Sequence, residues 1–309
     1  MSEIKTVPPL VSVFVLVYNH EKYISGALDG ILMQKVEFEY EIVLGEDCST
    51  DNSREIILRY AQKHPGKFKL ILHEKNVGAM KNQMAVLSVC TGKYIAMCEG
   101  DDYWTDPLKL QKQADFLEAN PEYSGASHQS LVIFDDETDK QPKLFREHDL
   151  TDIETQHLLD GRLFHTASLM FRSEIIKKHS LPKDITAGDR ALFFLLAACG
   201  KIHYSNEVMC MYRKHAGGVS SWVTTEMLEK DLKIVPWISK INPEFPGHRY
   251  YQFLHLVALS YPNSLSIFGV IKHSFLYMYH YFFVTPRNFS SLKQFFTHHI
   301  PAFLAKVKF

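Results

Sequence analysis

The stretch Met97–Trp104 (MCEGDDYW) sets Asp101 and Asp102 side by side, with Glu99 two residues before them. The short apolar run Tyr94–Met97 precedes it, and Thr105-Asp106-Pro107 follows with the chemistry of a helix start. Carboxylates this close repel each other and lose hydration if buried. A hard cation such as Mg²⁺ or Mn²⁺ relieves both costs and is held by one or two carboxylates together with substrate phosphates. A solvated acidic loop capping the next helix is the other reading of the same residues. Further along, Asp189 opens a strongly apolar segment, Ala191–Cys199, that Gly200 closes. A lone Asp at such a place is an N-cap or a functional carboxylate.

The elements that must position these groups are legible in the hydrophobic pattern. Val11–Val17 (VSVFVLV) is a nearly continuous β-branched run and reads as a buried parallel strand. After the break at Tyr18-Asn19-His20, Tyr23, Ile24, Ala27, Leu28, Ile31 and Leu32 recur at helical spacing. Tyr40–Gly45 is a second strand, ending in Glu46-Asp47, and Ser49-Thr50-Asp51-Asn52 supplies N-caps for a helix through about Lys63. Phe68–His73 is a third strand; Asn76-Val77-Gly78 turns the chain into a helix over Ala79–Val89; Tyr94–Met97 is the fourth strand. Leu110, Ala114 and Leu117 mark a helix after Pro107 that ends at Asn120-Pro121. Ser130–Phe134, Phe164–Phe171 and Glu207–Tyr212 are expected strands, Ser173–His179 a short helix and Asp135–Gln141 a polar surface turn. Alternation of strand and helix implies βαβ units, right-handed crossovers and a mainly parallel sheet. Tyr18, Asp47, Asp101 and Asp102 then converge on one sheet edge, where such folds bind ligands. No GxGxxG follows the first strand and no GxxxxGK[ST] occurs, which disfavours a dinucleotide dehydrogenase or a P-loop NTPase.

With 309 residues, 46% of them hydrophobic, the chain can bury a substantial core as one large domain or two smaller ones. All 35 acidic residues lie before Phe245, and Arg249, Lys272, Arg287, Lys293, Lys306 and Lys308 follow it. The five cysteines, Cys48, Cys90, Cys98, Cys199 and Cys210, are scattered and form no CxxC, as expected of reduced thiols in a cytosolic protein. MSEIKTVPPL lacks a signal-peptide pattern, and Val11–Val17 is too short to span a bilayer.

Taken together, VSVFVLVYNHEKYI, EIVLGEDCSTDNS, the NVGAMKNQ turn, CEGDDYWTDP, TAGDRALFFLLAACGKI and VMCMYRKHAGGVS resemble the inverting nucleotide-sugar glycosyltransferases of family 2, over roughly Val11 to Ser221. The resemblance implies an A-type glycosyltransferase fold, a Rossmann-like α/β mixed, mainly parallel sheet flanked by helices. It implies a catalytic domain over about 1–225, with a nucleotide-binding half near 8–105 and an acceptor half near 106–225. It also implies a nucleotide-sugar donor (most often UDP-linked), a saccharide or lipid-linked acceptor, a place in cell-surface polysaccharide biosynthesis, and Mn²⁺ or Mg²⁺ as cofactor.

Residue by residue, Tyr18 matches the aromatic side chain against the nucleobase and Asp47 the carboxylate that bonds the base. Glu46 stands where the family usually has a first aspartate. Lys81 lies near where some members place a cation toward the donor. Asp101 matches the carboxylate near the ribose and Asp102 the metal ligand, while Glu99 stands where many members have Asp. Asp189 matches the catalytic base, with Gly188 in place of the usual acidic neighbour. His215 falls where relatives place a loop histidine near the metal or diphosphate, and Arg213 is a candidate phosphate contact. A non-catalytic nucleotide-sugar-binding or scaffold protein of the same fold is the alternative. A nucleotidyltransferase would carry a glycine-rich signature that VYNHEKYI lacks.

Residues 226–309 form an expected helical, basic and aromatic extension. Interleaved cations and aromatics over 248–309 suit peripheral contact with the inner face of an anionic membrane, or packing on protein. They do not suit nucleic acid, because apolar residues outweigh the cations.

Overall fold

A computed structural model describes residues 8–135, 140–218, 224–260, 265–283, 293 and 295–299. The N-terminal residues 1–7, part of the polar turn (136–139), part of the loop after His215 (219–223) and most of the terminal aromatic stretch lie outside the described residues. Two units divide the chain, the first comprising residues through Glu154 with Arg162–Lys183 and Leu195–Ala216, the second Thr155–Gly161, Asp184–Phe194 and the residues from Gly217 on.

In the first unit, β1 (Val11–Val17), β2 (Tyr40–Glu46), β3 (Phe68–Leu72) and β4 (Tyr94–Glu99) alternate with α1 (Ile24–Leu32), α2 (Ser53–Lys63) and α3 (Ala79–Val89). The short β5 (Tyr103–Trp104), α4 (Lys109–Ala119), β6 (Tyr123–Phe134), β7 (Lys143–Leu144), β8 (Asp152–Ile153), β9 (Met170–Arg172) and α5 (Ser173–Lys178) follow; α6 (Gly188–Cys199), in which the division between units falls, leads into β10 (Lys201–Lys214). One mixed sheet results, in the order β3-β2-β1-β4-β9-β6-β10-β5, with β7 beside β6 and β8 beside β10. Pairings β1–β2, β1–β4, β2–β3 and β6–β10 are parallel. This is the α/β arrangement expected from the alternation of elements.

The local reasons are plain. β1 sits between two parallel neighbours and is buried at every residue but Leu16, so its sequence shows no polar alternation. Ile24, Ala27, Leu28 and Ile31 supply the buried face of α1. The register sets Val17 opposite Glu46 and Leu16 opposite Glu99. The segments leaving β1, β2 and β4 therefore emerge together at one sheet edge.

Three expected elements differ in extent. β6 begins at Tyr123, not Ser130, because its first half (YSGASHQS) is polar yet buried. Its side chains find partners across the ladder: Ser124 and Ser127 donate to the Lys201 and His203 carbonyls at 3.0 and 2.9 Å. β10 begins at Lys201, not Glu207, and its pairing with β6 is interrupted by bulges around Ser205–Val208, which breaks the period in the sequence. Phe164–Phe171 is a 3₁₀ turn, Thr166–Ser168, followed by β9. His165 Nδ1 accepts the Ala167 N–H at 3.3 Å, and this local bond curls the chain where apolar composition alone suggests a strand.

That turn is held from α4. Gln113 Nε2 donates to the Ala126 and Ser168 carbonyls at 2.7 and 2.8 Å, and its Oε1 accepts from the buried Lys109 ammonium at 2.8 Å. Lys109 lies 4.0 Å over the Trp104 ring, and burial drives its pKa down to about 8. Trp104 Nε1 donates to the Ala167 carbonyl at 2.9 Å.

In the second unit, α7 (Thr225–Asp231), α8 (Ile234–Ile238), α9 (Gly247–Ser260) and α10 (Ile267–Phe282) form the helical extension expected after residue 226. Tyr250, Leu254, Ala258 and Leu259 are buried along α9, with Phe194, Phe245 and Tyr250 packed edge to face. Among the described residues no helix is long and apolar enough to cross a membrane.

Gln113→Leu keeps the volume but strands two carbonyls and an ammonium. A loss of about 2–5 kcal/mol is expected, seen as a lower denaturant midpoint with an unchanged m-value. A change below about 0.5 kcal/mol would remove this network from the turn's support.

Candidate active site

At the edge where β1 and β2 end, two loops are stitched together by reciprocal bonds. The Asn19, His20 and Glu21 amides donate to Ser49 Oγ, Ser53 Oγ and Asp51 Oδ2 at 3.0, 2.8 and 3.0 Å. In return Thr50 N–H donates to Asn19 Oδ1 at 2.8 Å and Asn52 N–H to Glu21 Oε2 at 2.9 Å. Among the described residues, the two non-glycine residues at positive φ, Asn19 and Cys48 (both 57°), sit in these loops. Tyr18 leaves β1 with 43% of its surface exposed, so its ring is free to meet a flat ligand.

Glu46 is wholly buried and paired with Arg54, whose guanidinium also donates to the His73 carbonyl. Asp47 is 3% exposed, and its two oxygens accept the Val77 and Gly78 amides at 2.7 and 2.9 Å. The turn it grips has Gly78 at φ 86°, where a side chain is strained. Each carboxylate oxygen keeps further acceptor capacity. Lys81 is exposed in the first turn of α3.

The acidic loop approaches β1 closely at Gly100. Its N–H donates to the Leu16 carbonyl at 3.0 Å, and a Cβ there would lie 2.8 Å from His20 Nδ1. Asp101 Oδ2 lies 3.1 Å from His215 Nε2 and 3.8 Å from His20 Nε2. Burial raises its pKa, but the His215 hydrogen bond and the nearby His20 more than offset this and hold the carboxyl below its usual value. Asp102 is 2% exposed; its Oδ1 accepts the Arg213 backbone N–H at 2.8 Å. Burial, with Asp101 and Glu99 adding repulsion, raises its pKa well above the ordinary value.

Asp102 Oδ2 lies 3.4 Å from His165 Nδ1, a buried histidine that burial keeps neutral. Its ring stacks on Tyr212 at 4.0 Å. Glu99, Asp102 and His165 each offer a ligand atom, all within 4.8 Å of one another. The donor set fits a divalent cation. A buried carboxylate oxygen and a neutral imidazole nitrogen, both acceptors, face each other here, and a cation between them would relieve that contact.

Arg213 spends its side chain locally: Nη1 donates to Asp135 Oδ1 at 2.6 Å, Nε to the Asp101 carbonyl at 3.2 Å, and the guanidinium lies 4.8 Å over the Tyr23 ring. Tyr23 also packs on His215 at 4.7 Å. Despite opposition from burial, the Arg213 and Tyr23 hydrogen bonds hold the Asp135 pKa low. His215, expected near the metal or diphosphate, thus lies on Asp101, and His165 joins the metal-type cluster. His165, His20, Tyr23 and Asp135 were not anticipated. A histidine two residues before Ala167 in an apolar run is the only trace of the first in the sequence.

In the second unit, Asp189 is the second residue of α6, and its Oδ1 accepts the Arg190 N–H at 2.7 Å. The turn before it is held by Asp231, 4% exposed, whose Oδ1 accepts the Thr186 and Ala187 amides at 2.8 and 2.9 Å. Burial raises the Asp231 pKa. The Arg190 guanidinium lies 5.0 Å over the Phe253 ring. Nothing in the sequence near Asp231 points to this role, since its partners lie over 40 residues away.

Known proteins resemble this chain in sequence and in fold. An uncharacterised protein of Mycobacterium tuberculosis is 37% identical over 211 residues, 67% of this chain, and that match spans 60% of the mycobacterial protein. Staphylococcus aureus TarS in complex with UDP-GlcNAc shares the fold, with a TM-score of 0.62 at 20% identity, over 88% of this chain and 79% of that one. The mannosyltransferase PcManGT of Pyrobaculum calidifontis in complex with GDP-Man and Mn²⁺ does so with a TM-score of 0.57 at 16% identity, over 97% and 80%. A family model described as "Glycosyl transferase family 2" matches residues 12–179, a span that holds the Glu99, Asp102 and His165 cluster and ends before Asp189. The chain belongs to glycosyl transferase family 2.

Proposed function

We propose that this protein is an inverting glycosyltransferase that moves a sugar from a nucleotide-sugar donor, UDP-linked by preference, to a saccharide or lipid-linked acceptor. The observation that carries the reading is the cluster of Glu99, Asp102 and His165 at the carboxyl end of the central strands, in a chain of this family. Tyr18, exposed at the end of β1, stacks on the base, and Asp47 bonds its edge. Asp101 faces the ribose, and Lys81 directs a cation toward the donor.

Asp189 takes the proton of an acceptor hydroxyl as general base. The hydroxyl oxygen attacks the anomeric carbon as the bond to the diphosphate breaks, and the electron pair leaves with the nucleoside diphosphate. A single displacement inverts the configuration. Glu99, Asp102 and His165 would hold Mn²⁺ or Mg²⁺, which when bound supplies Lewis-acid stabilisation of the diphosphate charge. An imidazole among the ligands favours Mn²⁺ over Mg²⁺. Arg213 contributes its fixed positive charge, and His215 holds Asp101 ionised. The proposal includes a cytoplasmic location with peripheral membrane contact through 248–309, which would bring the active site to a lipid-linked acceptor.

The protein with UDP- and GDP-sugars and Mn²⁺ is expected to release free nucleotide from one donor, and product analysis to show inverted anomeric configuration. Asp189→Asn is expected to lower turnover about 10²–10⁴-fold while donor affinity stays within a factor of about two. Near-normal turnover in that variant removes Asp189 from the base role; retention of configuration refutes single displacement.

His165→Ala is expected to weaken Mn²⁺ binding about 10–100-fold, read as loss of the Mn²⁺-dependent rise in melting temperature. An unchanged Mn²⁺ titration would exclude His165 as a ligand.

A further inference from the structure

α10 carries its apolar face outward. Its buried side chains include His273, Tyr277 and Tyr281, all with polar groups, beside Val270. Its exposed large apolar side chains are Phe268 (84%), Ile271 (51%), Phe275 (68%), Tyr279 (46%) and Phe282 (63%). Lys272 is the remaining exposed residue among those described in the helix. Steps of three and four residues align the five into one stripe, about 21 Å long at 1.5 Å per residue. A continuous aromatic stripe of this kind marks an interaction face and not ordinary surface scatter.

We infer that this stripe seats α10 flat in the interface of an anionic lipid bilayer. The inference gives the proposed membrane contact a specific face, and it stands or falls apart from the transfer reaction. Charge selects the occupant. No carboxylate occurs from Phe245 to the end, against six cations, of which Lys293 is exposed. Glu229 of α7 is the acid beside the helix, and Lys272 pairs with it at 2.6 Å. Lys272 at the stripe is thus neutralised and Arg249 pairs with Asp160, so the excess positive charge rests with Lys293 and the remaining cations of the sequence; that excess favours anionic headgroups, and Phe and Tyr suit the depth where headgroup meets acyl chain. A second copy of the chain fits less well. Paired helices use Leu, Ile or Val along the seam and opposite charges beside it, and α10 contains no acidic residue to form such pairs. Crossing the bilayer does not fit either, since α10 has 16 residues and would have to accommodate Lys272, two histidines (His273 and His280) and the polar groups of the buried Tyr277 and Tyr281.

The test is sedimentation of the full chain with vesicles of phosphatidylcholine alone or mixed with phosphatidylglycerol. Binding to the mixed vesicles is expected to exceed binding to the neutral ones and to fall as salt rises. The variant Phe268→Ser/Phe275→Ser/Phe282→Ser changes exposed side chains only. It is expected to lose at least about tenfold in vesicle partitioning, with an unchanged melting temperature and unchanged nucleotide release from the donor. Equal binding of variant and native protein overturns the inference, as does absence of binding to either vesicle. A native dimer in sedimentation velocity that the variant converts to monomer also overturns it, because the stripe is then covered by a second copy. Should the triple variant fail to fold, Phe275→Trp replaces it. A blue-shifted emission on adding mixed vesicles supports the inference, and an unshifted one overturns it.

Discussion

A buried carboxylate at the end of a central strand constrains the whole of the first unit. Asp102 has almost no water around it, stands beside Asp101 and Glu99, and meets a neutral histidine. One backbone amide, that of Arg213, satisfies one of its oxygens. Such a group persists only where the surrounding chain leaves it no alternative position. The surroundings comply. Gly100 is pressed against β1, Tyr103–Trp104 pairs with Cys210 and Met211 of β10, and Trp104 anchors the turn that carries His165. The desolvated carboxylate and the rigidity around it belong together, and the cluster they form is compatible with a divalent cation.

The same logic extends inward to α4. A lysine and a glutamine on the buried face of an amphipathic helix are poor choices for a core. Here they are the polar spine behind the His165 turn, with the Lys109 ammonium lying over Trp104 and bonded to Gln113. Buried polar networks are stable only when every member is satisfied. The turn that carries His165 thus inherits its fixed position from residues of α4.

What could be read from the sequence follows from the range of the interactions involved. β1, α1, β2 and β4 were legible because burial against sequential neighbours writes itself as uninterrupted apolar runs or helical periods. The acidic loop was legible because its carboxylates are adjacent. The first half of β6 was not, since Ser124 and Ser127 are satisfied by β10, distant in sequence, and Gln129 by the Arg146 carbonyl beyond β7, so that these residues look like loop residues. His165 was hidden for the same reason: its partner Asp102 is 63 residues away, and its neighbours suggest an ordinary strand. Asp231 supports the turn before Asp189 from 44 residues beyond it. Adjacent chemistry shows in sequence; chemistry assembled by topology does not.

The stitching between the loops after β1 and β2 has a consequence for how such proteins diversify. Asn19 needs Thr50, Glu21 needs Asn52, and the backbone of each loop leans on side chains of the other. The two segments, some thirty residues apart, are therefore a single structural unit. A loop transplanted alone from a relative would arrive with half of its scaffold missing, whereas the pair moved together would carry its own geometry. Recombination that respects this coupling can exchange the surface around Tyr18 without disturbing the strands beneath it.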